Sequence, residues 1–229
     1  MDANELASRL DKIKQMGYVA TKRKGNTGIG YTLESMLELD ENNLRTPDLG
    51  QIEVKSQRRN STNRVTMFTF NRGTWKISQR DLIEKYGYID TNGRPSLYCT
   101  VNSKVNQQGL YLKIEEEAVG LYHVDKTFIA QWRGEDLSIT FSRKMPSLVV
   151  VYADTRINSE NREEFWFNEA YLLTNPDPDN FLDLIRTDVI IIDIRMHLKG
   201  NRVVRNHGTG FRIEERFLNL CFDGRERLV

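Results

Sequence analysis

The sequence predicts a mixed α/β (α+β) fold, helices first and a mainly antiparallel sheet after them, and three observations carry that expectation. Apolar residues recur at helical spacing in two early segments. A long series of short runs, alternating with period two or continuously apolar, comes next. Hairpin-sized turns separate several of those runs, which favours antiparallel neighbours.

Residues 5–16 set Leu6, Leu10, Ile13 and Met16 on one helical stripe, and Gly17 ends it. A basic, glycine-rich turn, Lys22-Arg23-Lys24-Gly25-Asn26-Thr27-Gly28-Ile29-Gly30, leads to residues 31–39, where Leu33, Met36, Leu37 and Leu39 support a second helix capped by Thr32. Asn42, Asn43 and Pro47 mark a turn into residues 48–56. There Ile52 and Val54 alternate with Glu53 and Lys55, giving a strand one apolar and one polar face. Residues 65–70 read as the next strand, ahead of the turn Asn71-Arg72-Gly73, and residues 97–101, 110–114, 121–124, 127–132 and 148–154 as further strands. In residues 163–173, Phe165, Trp166, Phe167 and Tyr171 fit neither period, so helix and strand both stay open until Pro176 and Pro178 close the segment. A short helix at 180–186 and a buried strand at 189–198 complete the expected elements. No internal repeat, low-complexity tract or long flexible linker interrupts the sequence.

The 229 residues suffice for one domain or for two joined lobes. The expected division puts residues 1–80 and part of 189–229 in one lobe and most of 81–188 in the other. The opening MDANELASRLDKIKQ is polar, and the most apolar run, Val189-Ile190-Ile191-Ile192, meets Asp193 and Arg195 at once, so neither a secretory leader nor a membrane span is expected. Cys99 and Cys221 are too few and too distant for a disulfide framework or a zinc site. A cytoplasmic location follows as an expectation.

The net charge of +1 hides an uneven distribution. Residues 1–80 hold 14 basic and 9 acidic side chains, residues 111–188 hold 8 and 15, and residues 199–216 hold 5 and 2. Two basic stretches around an acidic middle permit a positive face toward a polyanion, although ordinary solvated surface explains the same counts.

The chemistry concentrates in Pro47-Asp48, four residues, Glu53-Val54-Lys55. Glu53 and Lys55 are two apart on a strand and leave the same face, about 7 Å apart along the backbone. A turn after Asp48 can return its carboxylate to Glu53. Two carboxylates suit a hard cation such as Mg²⁺, which keeps water positions open for a phosphate and an attacking water. Lys55 then offsets charge that grows on phosphorus. Taken alone, this pattern equally describes a solvent-facing strand after a turn. Glu34, on the preceding helix, is a candidate third carboxylate.

Three blocks together resemble a known family: Gly28-Ile29-Gly30-Tyr31-Thr32-Leu33-Glu34, then Pro47 to Lys55, then Asn206-His207-Gly208-Thr209-Gly210-Phe211-Arg212-Ile213. They are similar in order and approximate spacing to the MvaI/BcnI type of restriction endonuclease, in the MutH-like branch of the PD-(D/E)XK nucleases. The resemblance implies a central mixed sheet flanked by helices, in two lobes around a DNA cleft, with the catalytic centre in the first lobe. It implies Asp48 and Glu53 as metal-holding carboxylates, Lys55 as the active-site lysine, Glu34 as an additional acidic residue and His207 as a histidine near the cleft. Val54 replaces the usual leucine between Glu and Lys, a conservative change on the buried face.

The implied activity is Mg²⁺-dependent hydrolysis of double-stranded DNA at a short site, with Mn²⁺ able to substitute. The family tends toward G·C-rich sites and toward monomers that nick the strands in sequence, without an obligate protein partner. Lys22, Arg23, Lys24, Arg58, Arg59 and Arg64 are candidate phosphate clamps, and Arg202, Arg205 and Arg212 surround His207 with charge that can grip phosphates or read guanine. His123 and His197 read as packing or surface residues, and Trp75, Trp132 and Trp166 as packing residues. Two rival readings stay open: a MutH-like nicking enzyme of mismatch repair that depends on partner proteins, and a DNA-binding module without catalysis.

Overall fold

A computed structural model of the chain describes residues 3–38, 52–59, 64–70, 74–115, 117–200 and 202–229. In chain order the first elements are α1 (Ala3–Gln15), β1 (Val19–Ala20), α2 (Gly28–Met36), β2 (Ile52–Arg58), β3 (Arg64–Phe70) and α3 (Gln79–Tyr86). Next come β4 (Tyr88–Ile89), β5 (Pro95–Val101), β6 (Leu110–Glu115), β7 (Ala118–His123), β8 (Phe128–Arg133) and α4 (Gly134–Lys144). The last are β9 (Ser147–Ile157), β10 (Glu163–Pro176), α5 (Pro178–Arg186), β11 (Ile190–Leu198), β12 (Val204–Asn206), β13 (Thr209–Glu214), a 3-10 turn (Glu215–Cys221) and β14 (Phe222–Arg227). The contacts group the chain into two compact units: Met1–Thr62 with Ser142–Asp177 and Asn219–Val229, and Asn63–Phe141 with Pro178–Leu218.

The first unit is built on a mixed sheet ordered β1-β10-β9-β2, with β14 paired to β10. Strand β2 runs parallel to β9, whereas β9, β10, β1 and β14 pair antiparallel. Leu6, Leu10 and Ile13 of α1 and Ile29 and Leu33 of α2 form one core with Ile52, Val54, Val149, Val151, Phe165 and Phe167. Glu5 in the first turn of α1 and Lys12 and Lys14 in its last turn complement the helix dipole. Gly17, at φ 69°, takes the left-handed conformation that ends it, and Met16 lies outside the helix and exposed rather than on the stripe.

Helix α2 starts three residues earlier than its apolar stripe suggests, and Thr32 is not its cap. The N-cap is Thr27, without a side-chain cap hydrogen bond. Thr32 sits inside the helix, where its hydroxyl donates to the Gly28 carbonyl at 2.7 Å and accepts from the Lys22 amide at 3.0 Å. Gly28 begins the helix because nothing larger fits: a Cβ there would lie 2.2 Å from the Arg23 carbonyl oxygen. Leu39, Asn42, Asn43, Pro47 and Asp48 lie outside the described residues, as does the turn Asn71-Arg72-Gly73.

The segment left open between helix and strand is the long strand β10. A bulge between Phe167 and Glu169 shifts the register against β9. The core residues are therefore Phe165 and Phe167 before it and Ala170 and Leu172 after it, on opposite parity. No single period spans that change.

The second unit contains a sheet ordered β3-β13-β11-β5-β4, with β12 on β11, and a three-stranded sheet β6-β7-β8. Phe211 stacks on Phe68 at 5.0 Å, with Trp132 edge-on at 6.2 Å and Phe181 of α5 at 6.3 Å, and all four rings are buried. Ser78 caps α3 by accepting from the Asp81 amide at 3.0 Å.

Residues 142–177, expected in the second lobe, sit with the first unit because β9 and β10 carry the sheet that β2 joins. Residues 64–80, expected in the first lobe, sit with the second unit because β3, β13 and β11 are neighbours in one sheet, and of residues 189–229, expected there in part, 219–229 group with the first unit.

Candidate active site and DNA-reading face

Strand β2 ends the strand order of the first sheet, and its alternation divides its side chains. Ile52 and Val54 enter the core, while Glu53 and Lys55 leave the other face. There the Lys55 ammonium donates to the Glu53 carboxylate; the two side chains are 28% and 16% exposed. The pair is thus largely withdrawn from water yet still accessible. Asp48, the second expected ligand, lies outside the described residues.

Glu34 approaches β2 from the helix side. A Cβ built on Gly30 would sit 3.8 Å from Glu34 Oε1 and 3.9 Å from Ser56 Oγ, so α2 meets the strand closely at a glycine. Alternation puts Ser56 on the side of Val54, one residue past Lys55. Its buried hydroxyl has no hydrogen-bond partner among the described residues. Glu34 Oε1 and Ser56 Oγ thus flank the same point beside Gly30, where α2 approaches β2.

Most of the arginines singled out in the sequence are held by carboxylates of their own unit. Glu163 grips Arg58 through Nε at 2.6 Å and Nη2 at 2.7 Å, and that hydrogen bonding raises the arginine pKa further. Arg59 pairs with Glu169 and with Asp154 at 2.8 Å, and donates to Asn168 at 2.6 Å. Arg64 pairs with Glu214 at 3.2 Å, and the Arg23 guanidinium lies 3.8 Å from the Tyr31 ring centre. Arg202 approaches Glu84 only at 3.9 Å. Lys24 and Arg205 are exposed, and Lys22 is exposed beside the start of α2.

In the second unit the six-stranded sheet has one apolar and one polar face. Ile190, Ile192, Ile194, Met196 and Leu198 alternate along β11 with Asp193, Arg195 and His197. Cross-strand partners share a face, so Thr100, Tyr98 and Ser96 of β5 join them, as do Gly210 of β13 and Arg205 of β12. Asp193, 7% exposed, accepts from Thr100 Oγ1 at 2.7 Å and from Arg212 Nη1 at 2.5 Å, and Arg212 Nη2 donates to the Arg64 carbonyl at 2.7 Å.

His207 lies between β12 and β13, its amide donating to the Arg195 carbonyl at 2.9 Å. Gly208 follows at φ 94°, with its own amide bonded to the Asn206 side chain at 2.8 Å. The His207 ring lies 5.6 Å from that of His197 and 6.2 Å from that of Tyr98. Partial desolvation first, then the nearby Arg205, Arg195 and Arg94 guanidiniums, lower its pKa from the usual histidine value. Burial pushes the thiol of each cysteine, Cys99 and Cys221, up to about 12, which disfavours the thiolate.

A family model for the MvaI/BcnI restriction endonuclease family matches residues 7–222. The chain belongs to the MvaI/BcnI restriction endonuclease family. It is similar over the whole of both chains to a solved structure of restriction endonuclease MvaI in complex with its cognate DNA substrate, at 25% identity and a TM-score of 0.83. It also resembles restriction endonuclease MvaI solved in the absence of DNA, at 26% identity and a TM-score of 0.58, over 100% of this chain and 99% of that one. No curated protein sequence matches it.

The MvaI/BcnI family membership and the mixed sheet flanked by helices give the protein a PD-(D/E)XK core and the identity of a sequence-specific Type II restriction endonuclease. The polar array also contains Arg94, Tyr98, Thr100, Asp193 and Arg195, which the sequence alone did not single out as candidates, together with His197, which it leaves as a packing or surface residue. Part of the signal was present. Asp193, Arg195 and His197 occupy alternate positions of a run otherwise apolar enough to read as a wholly buried strand.

Proposed function

We propose that this MvaI/BcnI-type endonuclease hydrolyses phosphodiester bonds of double-stranded DNA at a short specific site, using Mg²⁺ held by Asp48 and Glu53, with Mn²⁺ able to replace it. The observation that carries the proposal is the half-buried Glu53 carboxylate paired with the Lys55 ammonium on the outer strand of a PD-(D/E)XK core. Among the described residues no three acidic, histidine or cysteine side chains cluster to hold a metal, and Asp48 is not one of them. The donor set nevertheless fits a hard divalent cation. Glu53 supplies an ionisable oxygen ligand, Lys55 limits the negative charge around it, and Asp48, outside the described residues, would add a second carboxylate. When bound by these carboxylates, such an ion would lower the pKa of an attacking water and withdraw charge from the phosphoryl oxygens.

The chain's own residues do the rest. Lys55 hydrogen-bonds the phosphate or the water and neutralises charge growing on phosphorus. Glu34 serves as the additional acidic group beside β2. The leaving oxygen departs as a 3′-hydroxyl, and the 5′-phosphate stays on the other fragment. The first unit supplies the chemistry, and the polar face of the second unit supplies base contacts, with His207 among them. One catalytic centre per chain means that a monomer cuts the duplex by two successive nicks.

The test is digestion of a defined genome with Mg²⁺ followed by sequencing of all ends. Ends that share one short motif and carry 5′-phosphates support the proposal, with no cutting in EDTA and restoration by Mn²⁺. Random ends, or cutting indifferent to EDTA, overturn it. Arg205→Ala is expected to weaken binding alike on unrelated sequences and to lower the slope of log K against log salt by about 1, as for loss of one phosphate contact. Binding isotherms at several salt concentrations measure it.

A further inference from the structure

Around Tyr98 in the second unit, hydrogen bonds fix which way a proton points. Asp90 accepts from Arg94 Nε at 3.0 Å and Nη2 at 2.9 Å, and from Ser96 Oγ at 2.9 Å. So anchored, the Arg94 guanidinium presents Nη1 to His197 Nε2 at 3.4 Å. A guanidinium only donates, so Nε2 is the acceptor nitrogen. The proton of a neutral imidazole is then on Nδ1, which faces the Tyr98 hydroxyl at 2.8 Å. Burial, then Arg94 and His207, also hold the His197 pKa below its ordinary value, in keeping with the neutral form.

Tyr98 Oη therefore accepts from His197 and keeps its own proton for another acceptor. Among the described residues, none takes it. Tyr98 is only partly buried and stands on the polar sheet face directly opposite Arg195.

We infer that Tyr98 is a specificity-determining residue: its hydroxyl donates to an acceptor on a base edge of the recognition site, and His197 is the positioning residue that fixes this polarity. The inference rests on the DNA-cutting function proposed above. A base edge is favoured over a phosphate because the hydroxyl belongs to a half-buried, mutually hydrogen-bonded array, whereas phosphate contacts suit exposed cations such as Arg205. A donor of fixed direction rewards guanine or adenine N7, guanine O6 or thymine O4, and disfavours an amino group at the same place.

The experiment compares wild type, Tyr98→Phe, His197→Phe, His197→Gln and the Tyr98→Phe/His197→Phe pair. Each is checked for an unchanged melting profile, then assayed on the cognate site and on every single-base-pair substitution of it. Tyr98→Phe is expected to lower kcat/KM on the cognate site by about 10-fold to 100-fold, while sites substituted at one position are cut as by wild type, so that discrimination collapses there alone. His197→Phe is expected to produce the same pattern, the pair to be no worse than Tyr98→Phe, and His197→Gln to recover part of the loss, since an amide can accept from Arg94 and donate to Tyr98. Equal loss on all sites, no loss, or additive effects in the pair each overturn the inference. A wild type that cuts no DNA with Mg²⁺ removes the nuclease proposal itself, whereas a cutting wild type with an indifferent Tyr98→Phe removes only this inference.

Discussion

Glu53→Ala is expected to lower cleavage of the cognate site by about 10³-fold or more, with binding in the absence of metal retained. Its carboxylate is both the proposed ligand on β2 and the partner of Lys55. Removing it takes away an oxygen that holds the cation and leaves the ammonium without its counter-charge. Glu53→Gln keeps the shape but not the charge and is expected to be nearly as poor. Lys55→Ala is expected to cost about 10²-fold to 10³-fold, because it removes a donor aimed at charge that develops only in the transition state. Single-turnover cleavage, alongside unfolding curves, separates chemistry from stability. Because β2 turns Ile52 and Val54 rather than Glu53 and Lys55 into the hydrophobic core, all three variants are expected to unfold within about 1 kcal/mol of wild type. A Glu53→Ala enzyme that cuts at the wild-type rate would remove the proposed mechanism.

Why this pair was legible in the sequence and the polar face of the second unit was not comes down to the range of the interactions. Glu53 and Lys55 are two residues apart on an alternating strand, so local periodicity suffices to put them on one face. The contact from Thr100 to Asp193 spans 93 residues and that from Tyr98 to His197 spans 99, and only strand pairing creates them. Periodicity also fails where the backbone breaks it. The bulge after Phe167 reverses parity within β10, and residues 163–173 consequently read as neither helix nor strand. Helix α4 escaped because Gly134, Ser138, Ile139 and Thr140 are poor helix formers, leaving Leu137 and Phe141, four apart, as a short apolar signal. The arginines show a further limit. Composition records the charge of Arg58, Arg59 and Arg64, but the carboxylates that hold them come from Glu163, Glu169 and Glu214, far along the chain.

Asp193→Ala is expected to damage stability and cutting together, and the second change at Arg212 separates the two. Asp193 is buried, with its two oxygens divided between Thr100 and Arg212. Removing the carboxylate leaves the Arg212 guanidinium, 30% exposed, without its counter-charge. Breaking such a pair costs about 3 kcal/mol, near the lower end for buried pairs because Arg212 retains partial access to water. Replacing both partners is different: Asp193→Ala with Arg212→Met leaves no stranded charge and is expected to recover at least half of that loss in urea unfolding. Cutting is not expected to recover, because the polar face of the second unit is proposed to contact bases, and Arg212, a candidate for gripping phosphates or reading guanine, is held on that face by Asp193. Stability restored without activity would separate the array's reading role from its packing role. Activity restored with stability would make the array purely structural and take Arg212 out of the DNA interface.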